Sequence, residues 1–218
     1  MKKITENVDL KEIEKKAYRS VFNDGLWDLF TGMLILNLGM GPLFNYFFES
    51  LGFLVIIISS LVWNTITLLI FILGKKYITT PRVGYVKFGP KRKSKQLKLK
   101  IFLLGVFIVN LILFLLRLTG IIDYSQIQPF LITLLLGFGI FTIPFCVMAY
   151  FLDFTRLYYY ALSGGLGFFL ADLLNPILGS PLDVIIIFGS IGGIIMLIGL
   201  YFFIHFLKKY PLSKKEVP

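Results

Sequence analysis

Cysteine and histidine are almost missing from this chain, which has one of each, Cys146 and His205, in 218 residues. A single cysteine excludes an intrachain disulfide, and because it lies inside an apolar run it says nothing about redox compartment. The pair is also too small for a His/Cys metal site within one chain. Acidic residues are scarce, 12 against 22 lysines and arginines, and charge of either sign occupies only 16% of positions. A soluble domain of this length needs far more polar surface to cover its core. Signatures of catalysis are absent: there is no GxSxG elbow, no P-loop and no HExxH, and His205 has no carboxylate near it in sequence. Acid–base chemistry therefore has few candidates, and neither an enzyme, a cofactor nor a metal site is expected.

What the chain does have is hydrophobic length. Hydrophobic residues make up 57% of it, aromatic residues 17%, and the mean hydropathy is +0.83. These figures exclude a disordered chain, a disulfide scaffold and an ordinary cytosolic enzyme, because the apolar residues come in runs long enough to cross a bilayer. Six runs qualify at about 20 residues per crossing: 26–48, 51–73, 101–118, 130–152, 157–173 and 184–207. Only Glu49 and Ser50 separate the first two, which predicts a helical hairpin.

Orientation follows from lysine and arginine, which stay on the cytoplasmic side. Lys2, Lys3, Lys11, Lys15, Lys16 and Arg19 precede the first run, and ten basic residues with no acid fill the connection 74–100. Arg156 lies between the fourth and fifth runs, and Lys208, Lys209, Lys214 and Lys215 follow the sixth. The opposite connections hold Glu49, Asp123 and Asp183. Both termini are therefore expected in the cytoplasm. The expected fold is an all-α integral membrane protein, a six-transmembrane-helix bundle over 26–207 with a cytoplasmic tail over 208–218.

Residues 1–25 mix acids and bases without an apolar core, so they do not read as a cleavable signal peptide. Asp9 and Glu12 form a capping-box pattern, and Leu10, Ile13, Ala17 and Val21 recur at helical spacing. This predicts an amphipathic interfacial helix ending near Gly25, with Trp27 at headgroup depth. In the basic connection, Thr80-Pro81 disfavours helix, 84–88 alternates like a short strand, and Gly89-Pro90 marks a turn. After it, Lys95, Leu97 and Leu99 alternate with polar residues, which leaves open a two-stranded ribbon or an extended basic segment.

Polar groups inside the runs are the first functional candidates, because each is costly in a bilayer unless paired or hydrated. Arg117 and Asp172 both lie roughly 22–24 Å from the cytoplasmic ends of their helices, so they can meet at one depth in the outer leaflet. The functional reading is an ion or substrate contact, as in a small-solute transporter or channel. The bland reading is a packing pair, or an arginine snorkelling to the headgroups. No internal repeat of the inverted transporter kind is evident. Asn37, Asn45, Asn64 and Asn110 are expected to serve as interhelical glue, and Asp28 as an interfacial or capping carboxylate. Asp153 and Arg156 are spaced to pair on one turn, while Tyr158, Tyr159, Tyr160 and Tyr210 read as headgroup anchors. Pro42 and Pro144 should kink their helices.

Glycine clusters in the runs, and Gly189 and Gly193 have the four-residue spacing of a packing face. Such faces serve packing within one subunit, with a homo-oligomer contact as the other use. The basic connection, and in particular Lys91, Arg92, Lys93, Lys95, Lys98 and Lys100, should be drawn to anionic lipid of the cytoplasmic leaflet or to an acidic partner, at about 1 kcal/mol per residue. Nucleic acid is not an expected partner, since the same charges already serve to orient the flanking helices. The leading expectation is thus a non-enzymatic multi-pass protein that binds anionic lipid through its basic face.

Two stretches, Asn23-Asp24-Gly25-Leu26-Trp27-Asp28 and Thr80-Pro81-Arg82-Val83-Gly84-Tyr85-Val86-Lys87-Phe88, resemble segments of uncharacterised small multi-pass membrane proteins of bacteria and archaea. The resemblance implies a prokaryotic cell membrane and carries no activity or site with it.

Overall fold

The computed structural model describes residues 22–48, 53–83, 90–119 and 129–211, which are helical almost throughout and contain no strand. Among them are six helices long and apolar enough to cross a membrane, the build of a multi-pass helical protein. Helix α1 covers Leu26–Phe47 and α2 covers Phe53–Leu73. α2 continues without a break through a π-helical segment, Gly74–Thr79, and a last α-turn, Thr80–Val83. α3 is Pro90–Leu118. α4 joins Pro129–Leu134, a π-helical Leu135–Thr142 and Ile143–Leu152 into one rod. α5 is Arg156–Leu178 and α6 is Leu182–Lys209. The expected N-terminal amphipathic helix, the turn at Glu49 and Ser50, the strand-like 84–88, Asp123 and the tail from 212 lie outside the described residues.

The basic connection departs from its expected form. Residues 90–100 are neither ribbon nor extended chain but the first turns of α3. Pro90 is well suited to a first helical position, and the lysines, arginine, glutamine and leucines that follow are good helix formers. Fused to an apolar helix that supplies the nucleus, they propagate it, and the local alternation is overridden.

Proline is handled the same way twice. Thr80-Pro81 does not end α2, and Ile143-Pro144 does not break α4. A proline lacks its own N–H and its ring crowds the carbonyl four residues back. In both places the preceding turns widen to π geometry: the Thr80 N–H donates to the Lys75 carbonyl, and the Ile143 N–H to that of Phe138. Each partner lies five residues back rather than four, which moves the crowded carbonyl aside. Threonine hydroxyls complete the wide turns, Thr80 donating to the Lys75 carbonyl at 2.7 Å and Thr142 to that of Gly137 at 2.8 Å.

The principal helix contacts run in the order α2, α1, α6, α5, α4, α3. The most extensive is the seam between α1 and α6. On α1 its contact points are Gly25, Gly32 and Gly39, seven residues apart, a spacing that stays close to one face of a helix. A β-carbon on Gly32 would lie 2.9 Å from the Met196 nitrogen, and one on Gly192 would lie 2.9 Å from the Gly32 carbonyl oxygen. Gly199 is equally tight, 2.7 Å from the Leu29 nitrogen. The α6 packing face is therefore Gly192 and Gly199, and the expected Gly189 and Gly193 face meets no neighbour within 4 Å. α4 and α5 approach through Gly137 and Gly165, bridged by the Thr142 hydroxyl, which also reaches the Ala161 carbonyl at 3.1 Å. Large apolar side chains such as Leu54, Leu61, Phe107 and Leu197 face outward, as lipid-facing residues would.

Candidate functional site

The end of the bundle where α1 begins holds a buried charge cluster. Asn23 to Asp28 form its base. Gly25 adopts a left-handed conformation, φ +75°, and its missing side chain lets the chain lie against α6: a β-carbon there would stand 2.3 Å from the Gly199 carbonyl oxygen. Asp24 lies just before the N-cap residue Gly25, one of its oxygens accepting the Leu26 N–H at 3.2 Å. Its other oxygen accepts the Lys75 ammonium and the Thr79 hydroxyl, both at 2.7 Å, so the π-helical end of α2 is fastened to the start of α1. One turn further on, Asp28 accepts the Tyr160 hydroxyl at 2.7 Å and faces the Arg156 guanidinium at 2.9 Å. Both aspartates are fully buried.

Arg156 is the hub. Its guanidinium also donates to the Phe22 carbonyl at 2.7 Å and stacks over the Phe202 ring at 4.0 Å, joining α1, α5 and α6. Planar arginine can make a salt bridge, a backbone bond and a ring contact at once, where lysine offers only a point charge. The cluster holds two acids and two bases, so it is neutral as a whole. Such a group costs desolvation to bury, and it holds together only while every member has its counterpart.

Several expectations change here. Asp28 is not an interfacial carboxylate but a buried ion-pair partner, because α5 and α6 cover it. Tyr160 is not a headgroup anchor, its hydroxyl being committed to Asp28, whereas Tyr158 and Tyr159 are exposed. Arg156 pairs with Asp28, and Asp153 pairs with Arg92 of α3. Trp27 packs between Phe22 and Phe71, at ring distances of 5.5 and 4.8 Å. Asn110 bonds back to Val106 of its own helix, and the interhelical bond comes instead from Trp63, whose indole N–H donates to the Met33 carbonyl at 2.8 Å.

Around this cluster stand the basic residues singled out from the sequence. Arg92 is tied to Asp153, and Lys95 lies 5.6 Å from the Tyr150 ring. Lys93, Lys98 and Lys100 are exposed on the first turns of α3, as is Lys76 at the end of α2. The Lys91 side chain lies outside the described residues. α3 has 29 residues, about 44 Å at 1.5 Å per residue, against about 30 Å for a hydrocarbon layer. Its basic turns thus extend beyond what the apolar part needs.

The opposite end of the bundle has a different polar site. A cavity of about 260 Å³ lies between α1, α4, α5 and α6, walled by Leu38, Phe168 and Phe188 and edged by Asp172, Asn175 and Asp183. Asp183, in the first turn of α6, is 3% exposed. One of its oxygens accepts the Asn175 side-chain N–H at 2.8 Å, and the other has no partner. Asp172, predicted as an intramembrane polar residue, is exposed and lines this cavity. The side chain of its proposed companion, Arg117, lies outside the described residues. No group of three or more metal-ligating side chains occurs among the described residues.

Asp24, Lys75, Asn175 and Asp183 were not legible as site residues. A usable signal existed for the first: Asp24 stands next to a glycine immediately before an apolar run, a place where an acid can bond the free N–H groups of a helix start. Compared with known proteins, the chain matches no family model, no curated protein and no solved structure.

Proposed function

We propose that this is a non-enzymatic integral membrane protein, with both termini in the cytoplasm, whose basic end binds anionic lipid headgroups. The observation that carries the reading is an imbalance of charge. The described carboxylates at that end are all engaged: Asp24 with Lys75, Asp28 with Arg156 and Asp153 with Arg92. Lys76, Lys93, Lys98 and Lys100 are left exposed in a stretch, 74–100, that contains no acid. Positive side chains carried on a helix that continues into an apolar span are well placed to meet phosphate at the surface of a leaflet.

The test is native mass spectrometry of protein extracted from bilayers of mixed phosphatidylglycerol and phosphatidylcholine. Replacing Lys93, Lys95, Lys98 and Lys100 with Gln is expected to lower retained phosphatidylglycerol by roughly tenfold or more, given about 1 kcal/mol per charge. Arg92 is kept, because its pairing with Asp153 would confuse binding with stability. Unchanged retention overturns the proposal, and capture of an acidic protein in place of lipid redirects it.

A second reading, a small-solute transporter or channel, draws support from the cavity beside Asp172. Uptake of a radiolabelled solute into proteoliposomes, abolished by Asp172→Ala in a folded protein, would support it.

A further inference from the structure

We infer that the cavity between α1, α4, α5 and α6 is a binding site for a small organic cation, a protonated amine with an apolar body. It would supply a solute class for the transport reading above, but it is a statement about binding and stands or falls without transport.

The first ground is the unpartnered oxygen of Asp183. A buried acceptor without a hydrogen bond is costly, and where the one other such carboxylate oxygen among the described residues, on Asp28, has Arg156 beside it, that of Asp183 has no described cation. This one belongs to a side chain only 3% exposed that lines the cavity. Asn175 holds the other oxygen at 2.8 Å, which fixes the carboxylate's orientation. Asp172 adds a second carboxylate at the exposed edge of the same space. The polar edge is therefore anionic, and no lysine or arginine lines it.

The second ground is the wall opposite. Leu38, Phe168 and Phe188 offer only carbon to an occupant. The two phenylalanine rings meet edge to face at 4.9 Å, so one of them can present a π face to a cation. At about 30 Å³ per water, a space of about 260 Å³ is far larger than a bare metal ion. A hydrated metal ion would fill it, but its outer waters would then face a hydrocarbon wall with nothing to bond. An alkyl- or arylammonium ion satisfies both halves, N–H donors toward Asp183 and Asp172 and carbon toward the rings.

The test is equilibrium binding to the purified full-length protein in lipid nanodiscs, followed by calorimetry and by thermal shift. The probes are benzylammonium, n-butylammonium, ammonium, sodium, calcium and neutral benzyl alcohol. Benzylammonium and n-butylammonium should bind saturably, with ammonium, sodium and benzyl alcohol each weaker by roughly tenfold or more, since each lacks either the apolar body or the charge. Asp183→Asn, which keeps the shape and the acceptor for Asn175, should weaken benzylammonium by roughly tenfold or more. Asp172→Asn, at the exposed edge, should weaken it less and leaves the buried structure untouched, so it reports on the site even if Asp183→Asn folds poorly. No saturable binding of either amine, equal binding of sodium or calcium, or amine affinity unmoved by both substitutions would each overturn the assignment. Binding of the amines without uptake into proteoliposomes leaves the site standing and removes the transport reading alone.

Discussion

The two ends of the bundle use aspartate in opposite ways. At the basic end, Asp24 and Asp28 are fully buried; both Asp24 oxygens and one Asp28 oxygen accept hydrogen bonds, and the other Asp28 oxygen, which accepts none, has the Arg156 guanidinium 2.9 Å away. At the far end, Asp183 is nearly as buried and lines a cavity, yet one of its oxygens has neither a hydrogen bond nor a described cation beside it. A charge-paired cluster of this kind fastens helices, and a carboxylate beside a cavity with no described cation near it is placed to take one from a ligand. Burial alone therefore does not tell a structural acid from a binding acid; the presence of a cation beside the unbonded oxygen does, Arg156 at Asp28 and none described at Asp183.

Five substitutions at four positions test that contrast, beginning with the largest expected effect. Arg156→Ala leaves the Asp28 carboxylate buried without its cation and should cost about 3 kcal/mol, seen as a loss of thermal stability in detergent. Arg156→Lys should recover only part of this, since it cannot reproduce the bond to Phe22 and the ring contact together. Next, Gly25→Ala forces a β-carbon to 2.3 Å from the Gly199 carbonyl oxygen at a φ of +75° and should cost about 2–3 kcal/mol by the same measurement. Tyr160→Phe removes a single donor to Asp28 and should cost about 1–2 kcal/mol. Smallest is Asp183→Asn in ligand-free protein, expected to lie within about 0.5 kcal/mol of wild type or to stabilise it, because an unmet acceptor charge is removed. If Asp183→Asn destabilised the protein as much as Tyr160→Phe, the two ends would be alike and the comparison would collapse.

The sequence made the helices plain and the contacts between them obscure, for a physical reason. Apolar length at a fixed rise per residue is a local quantity, so the six spans were legible within a few residues. The fate of Asp28 depends on Arg156 and Tyr160, 132 residues from it in the latter case, and nothing near Asp28 announces them. Asp172 was singled out because it interrupts an apolar run. Asp183 lies one residue before the sixth run begins, where the sequence marks a loop acid; its burial beside Asn175 is a property of the assembled bundle. The seam of Gly25, Gly32 and Gly39 was present as a seven-residue repeat, but shorter glycine spacings on α6 drew the eye to the face that meets no neighbour. The helical start of α3 was hidden by a two-residue alternation too short to outweigh the long helix behind it.

The seam between α1 and α6 joins the first and last of the six apolar helices, and it sets an order on their pairing as the chain is made. α1 is made first of the six and is among the least apolar of them, and Asp24 just before it and Asp28 within it have counterions that do not yet exist. Asp24 is matched once Lys75 follows α2 from the ribosome, but Asp28 must wait for α5, and the glycine face of α1 stays open until α6 is complete. A chain that ended after α4 would hold the Asp28 carboxylate in α1 without its cation, so the bundle is complete in charge only when α5 is in place.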